Sequence, residues 1–363
     1  MSCLLTDNTY STKEIITADE KIQAKLREKH PELSFPNNNS HSVVYMRRRG
    51  WRRMVPATAA AVVLVSVIGA GYYLMRGYNS NKTAQTQQQV TVTDKAPGKD
   101  GAVLKLSNGE EIVLDDAANG TLAQQGHTTI SKQGGMLAYN GTQKNTAVLY
   151  NTLSTPRGRQ FQLVLPDGSH VWLNAASSIK FPASFSANER RVEITGEAYF
   201  EVVKNAAQPF RVQYATAGRE GSIEVIGTHF NVNAYSDEAV VKTTLIEGRV
   251  KVGEQQQPVI LQPGQQAQVT ADKVKVIAKA DINAALAWKN GLIVFNGADI
   301  KEVLRQVSRW YDVDVVYTGN IQVPEFYGEI PRTVNLGDVL KIIEMNSKLK
   351  FMINGTKVTV TQP

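Results

Sequence analysis

Hydrophobic and polar positions follow three different patterns along the chain, and the first is an unbroken apolar run. Residues Val55 to Met75 (VPATAAAVVLVSVIGAGYYLM) contain no charged side chain. At ~1.5 Å per helical residue, this run would span roughly 30 Å, the thickness of a bilayer's hydrocarbon core. Buried helices of globular cores seldom run this long without a charge. The pattern therefore predicts a single transmembrane helix over 55–75.

The charges beside this run indicate its orientation. Arginines cluster on its N-terminal side, whereas Arg76 stands almost alone on the other. Because Lys and Arg accumulate on the cytoplasmic side of membrane helices, we expect a cytoplasmic tail over 1–54 and export of everything after the helix. The expected location is the cytoplasmic (inner) membrane, crossed once, with periplasmic C-terminal domains. The polar residues 76–100 are typical of a linker.

The second pattern is an alternation of period two that begins near Val103. Short runs of alternating residues are separated by Asn-Gly, Asp-Gly or Pro-Gly pairs, which favour hairpin turns. The segment LKLSNGEEIVLDDAA from Leu104 is echoed by LVLPDGSHVWLNAA from Leu163. Repetition of one hairpin unit predicts an all-β domain over 101–280, built as a sandwich or a solenoid-like stack.

The third pattern has helical period and appears after Ile282. Apolar residues on one face predict a helix over 298–311, and a second helix is predicted over 336–346. Strands flank both helices, and residues 300–319 align without a gap with 336–355. Two such β-α-β units predict a small α+β domain over 285–363. The full expected fold is thus a membrane-anchored, multi-domain chain.

Composition narrows the possible functions. The net charge is +7, but much of the excess lies beside the apolar run, so it does not indicate direct nucleic-acid binding. The single cysteine, Cys3, leaves the expected exported part to be stabilised by packing alone. The tail has helix signals between Thr17 and Lys29, with a thin apolar stripe of Ile15, Ile22 and Leu26. This stripe is either a partner contact or part of a solvated tail.

The order and spacing of several short motifs resemble the FecR family of transmembrane anti-sigma sensors. They are TPRG from Thr155, LPDGS from Leu165, VWLNA from Val171, GEAYFEV from Gly196, PF at Pro209, GTHFNV from Gly227, EG at Glu247 and LQPG from Leu261. Residues 285–360 look like the family's C-terminal domain, which is similar to the short N-terminal domain of secretins and TonB-dependent receptors.

The resemblance implies a sensor without cofactor or enzymatic turnover. Such proteins relay a signal from an outer-membrane TonB-dependent receptor to an extracytoplasmic-function sigma factor. On this basis we assign Ile15, Ile22 and Leu26 to sigma-factor binding. We assign Phe326 and Tyr327, on a strand bracketed by prolines, to the receptor's signalling domain. The lipid bilayer is the third expected partner.

Two alternatives remain open at this stage. Some FecR relatives are thought to cleave themselves at a Gly-Thr pair, which makes Gly227 and Thr228 a candidate site. The hydroxyl of Thr228 would need a nearby base, and the sequence shows none beside it, so a tight strand entry is the favoured explanation of the pair. The second alternative is a membrane-tethered module that binds envelope glycan through aromatic residues, namely Trp172, Phe181, Phe185, Tyr199 and Phe200, which are otherwise expected to pack in the core. The histidines and cysteine have no metal-ligand spacing, so no metal is expected.

Overall fold

The computed structural model describes residues 94–141, 148–216, 218–253, 258–271, 273–319, 321–322 and 325–363. All of these residues belong to one compact unit, Gln88–Pro363. Within it, buried side chains form two hydrophobic clusters, one in the β region and one in the C-terminal region. We call these regions the β domain and the C-terminal module (residues 292–361).

The strands of the β domain are short and mostly alternate between buried and exposed positions. In chain order they are β1 (Lys99–Asp100), β2 (Val103–Lys105), β3 (Glu111–Val113), β4 (Gly120–Gln125), β5 (Thr128–Gln133), β6 (Met136–Gly141), β7 (Tyr150–Thr155), β8 (Arg159–Val164), β9 (His170–Leu173), β10 (Ser177–Pro182), β11 (Arg190–Glu201), β12 (Phe210–Thr216), β13 (Arg219–Val225), β14 (His229–Ala234), β15 (Val241–Glu247), β16 (Val250–Val252), β17 (Val259–Leu261), β18 (Gln266–Val269) and β19 (Val274–Ile277).

The long strand β11 joins two runs of paired strands. Its first half pairs with β10 and β12, and its second half, from Gly196 onward, pairs with β9 and β14. Gly196 has φ +75°, and a Cβ there would lie 2.7 Å from the carbonyl oxygen of Ala176. Only glycine fits this turn between the two runs. Phe200, just beyond it, stacks on Phe230 with ring centroids 5.0 Å apart, at the centre of the core.

The C-terminal module consists of two helices and two small sheets. After the short helix α1 (Ile282–Leu286) its elements are β20 (Leu292–Ala298), α2 (Ile300–Tyr311), β21 (Asp314–Thr318), β22 (Phe326–Pro331), α3 (Leu336–Met345), β23 (Lys350–Asn354) and β24 (Lys357–Thr361). Strands β20 and β22 form an antiparallel pair, and β21, β24 and β23 form a sheet in that order. The helices and strands predicted for this region are present, with bounds within three residues.

The apolar face predicted for α2 is the buried one. Its buried residues include Ile300, Val303, Leu304 and Val307, which join the second hydrophobic cluster. Asp299 caps α2 by accepting a hydrogen bond from the amide of Lys301.

The predicted membrane-anchored fold needs correction. The structure is mostly β-sheet, with three short helices in its described part, and no transmembrane helix is seen. The run 55–75 lies outside the described residues. Among those described, the longest helix has twelve residues, about 18 Å, which is too short to cross a bilayer. The predicted location in the cytoplasmic membrane depended on that helix, so it is withdrawn for the same reason.

Candidate functional site

A polar cleft of about 370 Å³ lies where the C-terminal module meets the β domain. Glu197 of β11 lies at its floor and is only 8% exposed. Its Oε2 accepts a hydrogen bond from Asn174 Nδ2 at 2.8 Å, and its Oε1 accepts one from Asn231 Nδ2 at 3.0 Å. Burial raises the pKa of Glu197, and these hydrogen bonds and the charge of Arg309 oppose that rise.

Arg309 of α2 is the main ion-pair contact across the junction. Its Nη1 donates to both carboxylate oxygens of Asp237 at 2.9 Å, and its Nη2 donates to Glu238 at 2.8 Å. The guanidinium lies 3.9 Å from the ring centroid of Tyr235, a cation–π contact. Burial alone would raise the pKa of Glu238, but its hydrogen bonds to Arg305 and Arg309 outweigh burial and lower that pKa.

A second buried arginine, Arg332, follows β22. Its Nη2 donates to Asn174 Oδ1 and its Nη1 to the carbonyl oxygen of Trp288, both at 2.9 Å. The guanidinium lies 3.6 Å from the ring centroid of Trp310, whose Nε1 donates back to the carbonyl of Arg332. Burial lowers the pKa of Arg332 to about 10. Trp288 is also bonded to the floor of the cleft: its Nε1 donates to Oδ1 of Asn231, the residue that donates to Glu197.

The third contact holds the C-terminal end of α2. Arg157 Nη1 donates to Asp314 Oδ1 at 2.7 Å, and its Nη2 donates to Ser308 Oγ at 2.9 Å. The amide of Gly158 donates to the carbonyl of Arg309 at 2.8 Å. Backbone carbonyls at this end of the helix therefore accept hydrogen bonds from the β domain instead of from solvent.

The sequence motifs meet at this junction. Arg157 belongs to TPRG, Asn174 to VWLNA, Glu197 to GEAYFEV and Asn231 to GTHFNV. Asn174 and Asn231 both donate to Glu197, and their amide oxygens accept from Arg332 and Trp288. Arg157 donates separately to Ser308 and Asp314. The arrangement joins two bodies through buried ion pairs and hydrogen bonds. Among the described residues, no group of three His, Cys, Asp or Glu could hold a metal ion.

Comparison with known proteins agrees with this two-part arrangement. Residues 151–251 match the family model described as FecR protein, and residues 292–360 match the model described as FecR, C-terminal. The chain belongs to the FecR family.

Solved structures also resemble this FecR-family chain. Two crystal structures of a candidate anti-sigma factor from Parabacteroides distasonis share 27% sequence identity with it at a TM-score of 0.54. They cover 58% and 59% of this chain and 99% of that chain. No curated protein gives a significant match.

The Gly227–Thr228 pair lies at the entry to β14 and does not line the cleft. Thr228 is 2% exposed, and its Oγ1 donates to the carbonyl of Arg249 at 3.0 Å. A Cβ on Gly227 would lie 2.6 Å from Cα of Lys204. A tight strand entry explains both residues. The hydroxyl of Thr228 donates to a backbone carbonyl and not to a base, which does not favour self-cleavage. Self-cleavage is not tested by these contacts and stays a prediction.

The two aromatic residues predicted to bind the receptor point to opposite sides of β22. Phe326 is 6% exposed and joins the core of the C-terminal module, whereas Tyr327 is 67% exposed. The hydroxyl of Tyr327 donates to Glu325 Oε2 at 2.9 Å. In the described part of the chain, β22 pairs only with β20, so its other side has no strand partner there. The sigma-binding candidates Ile15, Ile22 and Leu26 lie outside the described residues.

Sequence reasoning missed the module's side of the junction. Arg309 and Arg332 of the module, and Trp288 just before it, were not singled out, although all three bond to the β domain. One signal was available: Arg309 stands between the apolar Val307 and the aromatic pair that ends the helix, where a solvent-facing charge is unexpected.

Proposed function

We propose that this chain is an anti-sigma regulator that relays a signal between two protein partners. Membership of the FecR family and the fold shared with a candidate anti-sigma factor support this role. The observation that carries it is the junction, where four family motifs are used to hold the C-terminal module and not to build a catalytic centre. We infer a regulatory protein without enzymatic turnover.

The partner on the N-terminal side is proposed to be an extracytoplasmic-function sigma factor. Ile15, Ile22 and Leu26 are spaced to form one apolar stripe of a helix that would fold on binding. Capture of a sigma factor by the full chain is the direct test. Changing Ile22 and Leu26 together to Asp should abolish capture, whereas changing the polar Gln23 and Lys25 to Ala should leave it. Equal capture by both variants would remove the stripe from the proposal.

The partner of the C-terminal module is proposed to be the signalling domain of a TonB-dependent receptor. The open side of β22 offers backbone donors and acceptors, and Tyr327 presents an exposed ring beside them. Tyr327→Ala should weaken binding of the receptor domain at least tenfold without lowering the melting temperature by more than a few degrees. Met352→Ala, equally exposed on another strand of the module, is the matched control. Equal weakening by both changes would refute the choice of β22.

Glycan binding is less well supported as a function. The residues considered for it include Trp172 and Tyr199, but the ammonium of Lys289 lies 4.4 Å and 4.8 Å from their ring centroids. It occupies the ring faces on which a sugar would stack. Phe181, Phe185 and Phe200 are buried in the core.

A further inference from the structure

Five residues that precede β1, Asp94-Lys95-Ala96-Pro97-Gly98, lie across the helix ends of the C-terminal module. We call this segment the strap. Asp94 Oδ1 accepts a hydrogen bond from the amide of Gly337 at 2.8 Å, and the carbonyl of Lys95 accepts one from Leu336 at 2.9 Å. The residue at the N-cap of α3, Asn335, makes no side-chain capping bond. A carboxylate 243 positions away in sequence caps the helix instead.

The strap also contacts the C-terminal end of the other helix, α2. Lys95 Nζ donates to the carbonyl of Asp312, the left-handed C-cap residue, at 2.9 Å, and lies 3.8 Å from its carboxylate. An acid at the N-terminus of one helix and a base at the C-terminus of another both match the helix dipoles. Two adjacent residues of the strap thus recognise two helix ends of the module at once.

Close packing fixes the position of the strap. A Cβ on Gly98 would lie 2.6 Å from the ring of Trp310, so the strap contacts the aromatic face directly. Trp310 stacks with Arg332 in the buried junction. The strap therefore touches the ring that packs against Arg332, and Arg332 in turn bonds to Asn174 of the β domain.

The other end of the strap is fixed to the β domain. The amide of Lys99 donates to the carbonyl of Gly158 at 3.0 Å, and β1 pairs in parallel with β8. Five residues span at most ~18 Å, so the strap cannot lengthen far. If the module moves away from the β domain, one set of contacts must break. The contacts of Asp94 and Lys95 are partly exposed to solvent. The two residues of β1 are exposed as well, but Gly101 and Ala102 directly after them are buried, and the amide of Gly101 donates to the carbonyl of Gln160 at 2.9 Å.

We propose that the strap is a release device: displacement of the C-terminal module detaches residues 94–98 and changes how residues 1–93, directly before them, are tethered. What the freed segment then does rests on the proposed function. The release itself does not, because it follows from contacts within one chain. A partner bound to the module can thereby act on the N-terminal part without touching it.

Hydrogen exchange on the purified full chain tests the release. The reporters are the amides of Leu336 and Gly337, which donate to the strap. Asp94→Ala should speed their exchange about tenfold. Asp338→Ala is the control, because it removes a first-turn carboxylate of the same helix but none of the strap's hydrogen bonds. Equal effects of the two changes would show that helix fraying, and not the strap, sets the protection.

Coupling to the junction needs a second variant. Glu238→Gln weakens the ion pairs on the far side of α2 and should also speed exchange at Leu336 and Gly337. If the amides of Leu336 and Gly337 stayed fully protected from exchange while amides at the junction exchanged fast, the proposal would be overturned. Limited trypsin cleavage after Lys95 gives an independent reading of the same opening.

A reversible lock completes the test. A Cβ on Gly337 would lie 3.2 Å from Cγ of Asp94, close to the roughly 3 Å between a sulfur and its partner's Cβ in a disulfide. Asp94→Cys with Gly337→Cys, in a Cys3→Ser background, should therefore close on oxidation. The oxidised chain should bind the sigma factor yet lose its response to the receptor domain, and reduction should restore that response. A locked chain that responds normally would refute the strap while leaving the proposed function intact.

Discussion

Arg309→Ala is the sharpest test of the junction as the element that holds the module. The change removes three charge-assisted hydrogen bonds, one cation–π contact and the partner of a buried carboxylate. Deleting one member of a buried ion pair typically costs about 3–5 kcal/mol, because the other charge is left unpaired. Asp237 is half exposed and can be rehydrated, whereas Glu238 is buried and keeps only Arg305.

The expected loss of stability is therefore about 3–4 kcal/mol, near the lower end of that range. For a chain of this size, such a loss lowers the melting temperature by roughly 10 °C. Thermal unfolding of the full chain, followed by circular dichroism, measures it. Arg211→Ala is the matched control: Arg211 pairs with Glu189 and Glu224 on the surface of the β domain, so its loss should cost under about 1 kcal/mol.

A second measurement separates an unpaired charge from lost packing. Adding Glu238→Ala to Arg309→Ala removes the stranded carboxylate, so the double variant should be less destabilised than the sum of the two single changes. If Arg309→Ala cost no more than Arg211→Ala, the junction would not hold the module. Strict additivity in the double variant would refute the role assigned to the buried pair.

Three further predictions concern the β domain and the pH dependence of stability. Gly196→Ala should destabilise the chain by more than about 2 kcal/mol in a denaturant titration, because it places a Cβ against a backbone carbonyl at φ +75°. The lowered pKa of Glu238 means that its stabilising contribution is present above the unfolded pKa and is lost as pH falls through the folded value, so stability should drop below about pH 4.5. The raised pKa of Glu197 has the opposite sign: its neutral form favours folding, and this contribution is lost as pH rises from the unfolded to the folded value. Glu197→Gln should remove that loss, and an unchanged stability–pH profile would contradict the assignment.

The helices and hairpins could be predicted because their signals are local. The apolar positions of α2 recur at helical spacing, and the Asn354–Gly355 pair fixes the last hairpin. Hydrophobic periodicity, however, does not show whether a polar segment elsewhere in the chain packs against a helix. The strap was predicted as part of a flexible linker because that stretch of the sequence is polar and low in complexity. Its contacts with α2 and α3 join residues more than 200 positions apart, which no local pattern reports.

The family motifs were recognised in the sequence, but the contacts that their polar residues make were not predicted. Each looked like strand and turn chemistry, and their polar members could equally have faced solvent. What distinguishes Asn174, Glu197 and Asn231 is that they bond to one another across three strands and then to side chains from beyond residue 280. Such a set becomes visible only when the strands are in register. Sequence reasoning therefore reached the family and the elements, and stopped before the contact between them.

The polar character of the junction bears on how it could work. An apolar interface of the same size would hold the module more firmly, but opening it would expose a large hydrophobic surface. Arg309, Arg332 and Glu238 can instead be rehydrated when the two parts separate, which lowers the cost of the open state. The close geometry of the same ion pairs leaves one docked arrangement favoured over others. A junction that is specific when closed and tolerable when open is what a relay between two partners requires, because a partner's binding energy then needs to shift only a small free-energy difference.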